Sequence, residues 1–386
     1  MENKPTLPAD FESFSEMRKA SFIAMKELKE QGKRVVGVFC SFVPLELIYA
    51  AGLIPVGLCA SNEEPIMAAE ANLPKNLCPL IKASYGFALT DTCPFFYFSD
   101  LVIGETTCDG KKKMFELMNE IKPTYVMQLP HSRGKDCLEF WKGQIIACKE
   151  KLEEFFNITI TEEDIRNAIR LKNREREIMK RYLELGKLIP APVRGYEMGT
   201  RLDAGSFSFD IEHRCKVVEN RTAEILADWE ANFKGKPSTR PRLLVTGCPN
   251  AGVRDKIIKA VEEMGADIVA FDTCGGLRNM VDPVDENNPD VFEALAYKYL
   301  HINCSVMSPN DNRLEFMERM IDEFQVDGVI EIILHSCHTY DVESHFVKRM
   351  VHGKKGLAYL AVDTDYSQSD KGQLSTRLAA FLETIG

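Results

Sequence analysis

The chain has 386 residues, 45% of them hydrophobic and 27% charged, and a formal net charge of −10. That length exceeds one ordinary core and implies two or three domains, while the acidic balance argues against a nucleic-acid binder, which would present a basic face. The longest nearly apolar run, Leu47 to Ala60, is broken by Gly52, Pro55 and Gly57, so no membrane span is expected. Nor does the opening Met1-Glu2-Asn3-Lys4 have the basic-then-apolar form of a secretion signal, and a cytoplasmic protein follows.

In chain order, residues 10–31 read as an amphipathic helix, capped by Asp10 and carrying Phe14, Met17, Phe22, Met25 and Leu28 at helical spacing. Arg34 to Phe39 reads as a buried strand ending at Cys40. Pro44 to Gly52 reads as a helix, opened by proline and closed by glycine. Further strands are expected over Ile54–Leu58, Asp100–Gly104 and Thr124–Leu129. From about Leu138 to Phe233 the chain turns rich in Glu, Lys, Arg and Leu. Helices are expected from Thr161 to Leu185 and from Ile211 to Phe233, with a Pro/Gly loop over Pro190–Gly205 between them.

Lys236-Pro237-Ser238-Thr239-Arg240-Pro241 reads as a linker, after which the order repeats. Strands are expected over Leu243–Thr246, Asp267–Phe271, from Asp327 and over Leu357–Val362, with helices over Arg254–Met264, on both sides of Cys304, and at the end of the chain. Alternating strands and helices predict an α/β protein: two Rossmann-like lobes with parallel, doubly wound sheets, joined by a helical insert. The expected domains are residues 1–137, 138–236 and 237–386.

Twelve cysteines in a reducing compartment are not expected to form disulfides. No Cys-x-x-Cys pair is present, which excludes a zinc ribbon or a thioredoxin motif. Cys78, Cys93 and Cys108 follow one another at intervals of fifteen residues. Cysteines also recur after corresponding strands of the two lobes: Cys40 and Cys248 after the first, Cys59 and Cys274 after the second, Cys108 and Cys337 after the third. Open α/β sheets bind ligands beyond the carboxyl ends of their strands. Two facing lobes would gather more than four thiols, and soft thiolates select zinc, copper(I) or iron–sulfur clusters. A structural zinc needs four ligands, so a cluster fits the number better. His335 and His338 read as loop residues, and Lys111, Lys112 and Lys113 as a solvated basic turn. The absence of Gly-x-x-x-x-Gly-Lys-Ser/Thr and Gly-x-Gly-x-x-Gly motifs argues against nucleotide binding by this chain.

With these residues in view, the chain resembles the superfamily of 2-hydroxyacyl-CoA dehydratases and benzoyl-CoA reductases. The shared marks are Pro44-Leu45-Glu46, Leu77-Cys78-Pro79, Thr107-Cys108-Asp109, Ser336-Cys337-His338 and the ending Gly372-Gln373-Leu374-Ser375-Thr376-Arg377. That resemblance implies a [4Fe–4S] cluster on Cys78, Cys108 and Cys337. Cys93 to Asp100, Thr107 to Met114, Gly247-Cys248-Pro249, Cys304 to Asn310 and Cys337 to Glu343 resemble in particular the double-cubane-cluster-containing anaerobic reductases. By that likeness the chain would form a homodimer and bind an [8Fe–9S] cluster. It would receive electrons from an ATP-hydrolysing [4Fe–4S] activator and reduce a small molecule. Cys40, Cys93, Cys274 and Cys304 are candidates for the second cubane, with Cys248 behind them. Cys59, Cys137, Cys148 and Cys215 read as packing. The alternatives are a single-cubane 2-hydroxyacyl-CoA dehydratase subunit and a non-catalytic cluster carrier. The identity of the substrate and of any catalytic side chain stays open.

Overall fold

A computed structural model describes residues 5–205 and 209–385; Met1–Lys4, read above for a leader, lie outside the described residues. The first helix, α1 (Glu16–Glu30), is capped by Ser15, whose Oγ accepts from Arg18 N at 3.4 Å. Asp10 instead precedes a short 3₁₀ turn, because Ser15 is the residue with extended backbone next to the helix. Strand β1 (Val35–Val38) is buried throughout and leads to α2 (Leu45–Ala50), β2 (Ile54–Gly57) and α3 (Ile66–Ala69). Then follow α4 (Pro79–Thr90), α5 (Pro94–Phe98), β3 (Leu101–Glu105), α6 (Asp109–Ile121), β4 (Thr124–Met127) and α7 (Lys135–Phe156).

The middle of the chain supplies α8 (Glu162–Glu184), α9 (Gly195–Gly205) and α10 (Ile211–Asn232). Helix α9 occupies the stretch expected to be a loop. Its first amides are satisfied from elsewhere: the buried Glu262 carboxylate accepts from Gly195 N at 2.6 Å and Tyr196 N at 3.1 Å. Gly195 also lies so close to the sheet that a Cβ there would fall 2.5 Å from Ile268 Cβ. A glycine that reads as a helix breaker thus serves as a close-packing point.

The second series runs β5 (Arg242–Gly247), α11 (Ala260–Glu263), β6 (Asp267–Asp272), α12 (Leu277–Met280), α13 (Val291–Leu300), α14 (Asp311–Glu323), β7 (Gly328–Leu334), α15 (His338–Lys348), β8 (Ala358–Thr364) and α16 (Lys371–Glu383). The helix expected over Arg254–Met264 is composite, with a 3₁₀ turn and a π turn (Asp255–Lys259) ahead of α11.

Each series builds a four-stranded, fully parallel sheet, ordered β2-β1-β3-β4 and β6-β5-β7-β8. The repeat expected from the sequence is therefore real at the level of topology. In both sheets the chain steps from the first strand to one side and returns on the other. The switch points thus lie between β1 and β3, and between β5 and β7.

The chain divides into two compact units, Met1–Lys172 with Val284–His301, and Asn173–Pro283 with Ile302–Gly386. The helices expected as an insert over 138–236 are shared between them: α7 belongs to the first unit, α9 and α10 to the second. Among the described residues, no helix is long and apolar enough to cross a membrane.

Candidate functional site

In the first unit, β1 and β3 run out beside the switch point. Cys40 follows β1 in the left-handed region, φ +58°, a conformation uncommon for a residue with a side chain. The turn after it is anchored on Glu105, the last residue of β3, whose Oε1 accepts from Phe42 N at 2.8 Å and Val43 N at 2.9 Å. Glu105 is wholly buried and its Oε2 meets no partner. Burial pushes its pKa up to about 7, against the nearby Lys111 and the amides, which favour the charged form.

Lys111 is the residue that the triple-lysine run conceals. Lys112 and Lys113 are exposed, as a solvated turn requires, but Lys111 is buried. Its Nζ lies 3.7 Å from Cys59 Sγ and 5.7 Å from the centre of the Phe39 ring. Desolvation opposes its charge, yet Cys40, Cys59, Glu105 and Cys108 around it raise its basicity well above the ordinary lysine value. Cys59 Sγ also accepts from Cys40 N at 3.5 Å. The first unit therefore keeps a fixed cation beside three cysteines.

Four cysteines occupy one kind of position, the cap at a helix N-terminus: Cys78 on α4, Cys93 on α5, Cys108 on α6 and Cys337 on α15. Two are followed by proline at the first helical position, Pro79 and Pro94, where a missing N–H costs nothing. Exposed amides at a helix start favour a thiolate over a thiol. Cys93 is the exception in degree, because burial dominates and pushes its thiol up, against the amides of Phe96 and Phe95; its Sγ accepts from Phe96 N at 3.5 Å.

In the second unit the cysteine loops stand on a buried charge network. Asp272, at the end of β6, takes Arg278 through Oδ1 and Oδ2, both at 2.9 Å, and Arg313 Nε through Oδ2 at 3.2 Å. Desolvation alone would push its pKa up, but the two guanidinium groups hold it down to about 2. Arg313, 0% exposed, also donates to Thr246 Oγ1 at 2.7 Å, to Glu331 at 3.3 Å and to Glu343. Asn279 Nδ2 fixes the carbonyl of Cys274 at 2.7 Å, and Asn310 Nδ2 fixes that of Cys304 at 3.0 Å. Cys337 Sγ lies 3.8 Å from Thr339 Oγ1.

Cys248 differs from these. It is 1% exposed, and its Sγ accepts the amide of Leu334 at 3.3 Å. Its amide in turn bonds Ile332 O at 2.8 Å, so it joins the ends of β5 and β7. Cys148 and Cys215 are buried on α7 and α10, and burial pushes their thiols up to about 12 and about 11. His335 is exposed and faces Asp363 at 3.2 Å, and His338 is exposed too.

The donor chemistry fits an iron–sulfur group. The candidate cysteines are soft ligands, none of the twelve is joined in a disulfide, and the capping ones sit where amide dipoles favour thiolate. Among the described residues, no three Cys, His, Asp or Glu side chains gather where they could hold a metal ion. Sequence reasoning missed Glu105, Lys111, Tyr340 and the Arg278–Asp272–Arg313 network. Glu105, Lys111, Asp272, Arg278 and Tyr340 lie within four residues of a cysteine, the one signal the sequence carried for them, and Arg313 had none.

Residues 40–385 match the model of the family described as "2-hydroxyglutaryl-CoA dehydratase, D-component". A protein of Escherichia coli strain K12 carrying the provisional name dehydratase subunit YjiM is 47% identical over 380 residues, 98% of each chain. The (R)-phenyllactyl-CoA dehydratase beta subunit of Clostridium sporogenes is 25% identical over 94% of each chain. One chain of the benzoyl-CoA reductase of Thauera aromatica is 22% identical over 382 residues, covering 91% of this chain and 88% of its own.

Proposed function

The chain belongs to the 2-hydroxyglutaryl-CoA dehydratase D-component family, and from that premise we propose that it is the catalytic iron–sulfur component of an activator-driven reductase. Cys78, Cys108 and Cys337 hold a cubane, and a second cubane draws its ligands from Cys40, Cys93, Cys274 and Cys304. The observation that carries this reading is that Cys78, Cys108 and Cys337 all cap helix N-termini, where a thiolate is favoured. When bound, the group supplies low-potential single electrons for reduction of a small molecule.

The chain's own residues prepare the place. Lys111 sets a fixed positive charge among Cys40, Cys59 and Cys108, which offsets negative charge brought by sulfide and thiolate. Glu105 fixes the Cys40 turn through two amides. Asn279 and Asn310 hold the carbonyls of Cys274 and Cys304, so those loops keep their form. We further propose a cytoplasmic homodimer served by an ATP-hydrolysing [4Fe–4S] activator.

A second reading, a 2-hydroxyacyl-CoA dehydratase subunit with one [4Fe–4S] cluster, is favoured by the name of the C. sporogenes relative. Iron and acid-labile sulfide in anaerobically purified protein separate the two, at about eight iron per chain against about four. A folded anaerobic preparation containing zinc or no metal would reject both.

A further inference from the structure

Tyr340 lies on the first turn of α15, three residues after Cys337, with its ring buried. Its phenol oxygen accepts a hydrogen bond from Arg278, and Arg278 is clamped by both carboxylate oxygens of Asp272. With the oxygen engaged by a guanidinium, the hydroxyl proton is left to be given away. The sulfur within reach is Cys304 Sγ, 4.0 Å off.

The surrounding bonds close into a ring that begins and ends at Cys304. Asn310 binds the Cys304 carbonyl at 3.0 Å and Glu343 at 2.6 Å. Glu343 binds Arg313, Arg313 binds Asp272, and Asp272 binds Arg278, which returns to Tyr340. Tyr340 and Glu343 sit on the same turn of α15. The hydroxyl is thus held against the sulfur by buried groups on four elements.

We propose that Tyr340 is a positioning residue that donates a hydrogen bond to the Cys304 sulfur when that sulfur is a cluster thiolate, and so raises the electron affinity of the centre. The inference rests on the iron–sulfur reading above. A thiol carries its own proton and is a weak acceptor, whereas a metal-bound thiolate can only accept. The contact therefore tightens on loading. Hydrogen bonds to ligating sulfur withdraw charge from the iron and raise its reduction potential.

The test is an anaerobic redox titration of the iron-loaded chain, followed by electron paramagnetic resonance, with iron and sulfide measured on each sample. Tyr340→Phe, which keeps the ring and removes the donor, is expected to hold wild-type iron while its midpoint moves to a more negative potential. 3-Fluorotyrosine placed at position 340, a stronger donor of nearly the same shape, is expected to move the midpoint the other way. Full iron with an unmoved midpoint in either protein overturns the inference, and the fluorinated protein decides it should Tyr340→Phe fail to fold. An iron-free wild-type chain instead overturns the reading beneath it.

Discussion

Replacing Glu105 by glutamine probes the Cys40 turn without disturbing its shape. The wild-type carboxyl is wholly buried, and its pKa is pushed up from the ordinary 4.5 to about 7. Between those values the folded protein holds a proton that the unfolded chain has released. Folding stability therefore falls as pH rises through this window and levels off above about 7. At about 1.4 kcal/mol per pH unit, the full swing is about 3 kcal/mol. Glu105→Gln keeps an acceptor oxygen for the amides of Phe42 and Val43 but cannot ionise. Lys111, the cation facing it, stays charged throughout the window. The stability of the variant relative to wild type should thus grow, in favour of glutamine, by about 3 kcal/mol between pH 4.5 and pH 8. Urea unfolding of reduced, metal-free protein in a Trp229→Phe background would measure it, with Trp141, buried on α7 of the same unit, as the reporter. Groups common to both chains cancel in the difference. A stability difference that does not change with pH would refute the argument.

Cys108→Ala and Cys337→Ala are expected to lose most of the iron, while Cys148→Ala and Cys215→Ala keep it, as anaerobic iron analysis would show. Arg313→Met should cost about 3–5 kcal/mol in urea unfolding; the lower end is expected because Asp272 keeps Arg278, Glu331 keeps Tyr359 and Glu343 keeps Asn310. Gly247→Ala should lower the thermal midpoint by an amount matching about 2–4 kcal/mol, since Gly247 has φ +105° and an added Cβ would lie 2.1 Å from Ile332 O. The isolated chain should hydrolyse no ATP in a phosphate-release assay; steady hydrolysis would contradict the roles assigned to chain and activator.

The strands were legible because a strand buried on both faces is a short, mostly apolar run: Val35–Val38 is wholly apolar, and Gly328–Leu334 is broken only by Glu331. The cysteines were legible as a set because they recur just past those runs. What made α9 a helix could not be read locally, since its N-terminal amides are answered by Glu262, more than sixty residues away. Lys111 looks like its two neighbours in sequence, and only the turn of α6 decides which of the three faces inward. The ring behind Cys304 was hidden for the same reason. Asp272 and Arg313 are 41 residues apart, and buried charges at that separation leave no periodic trace.

The division of the chain has a consequence for its synthesis. The first unit is not finished when residue 172 is made, because it needs the segment Val284–His301. In that segment Asp290 pairs with Lys142, Asn288 O accepts from Arg166 at 3.2 Å, and the Tyr299 hydroxyl donates to the buried Glu46 at 2.7 Å. A ribosome adding about 5–20 residues per second leaves a gap of roughly 6–25 s between the two events. Throughout it the face of α7 that α13 will cover stands open. The nascent chain is then a client for holding chaperones, and a fragment cut after residue 172 would be one permanently.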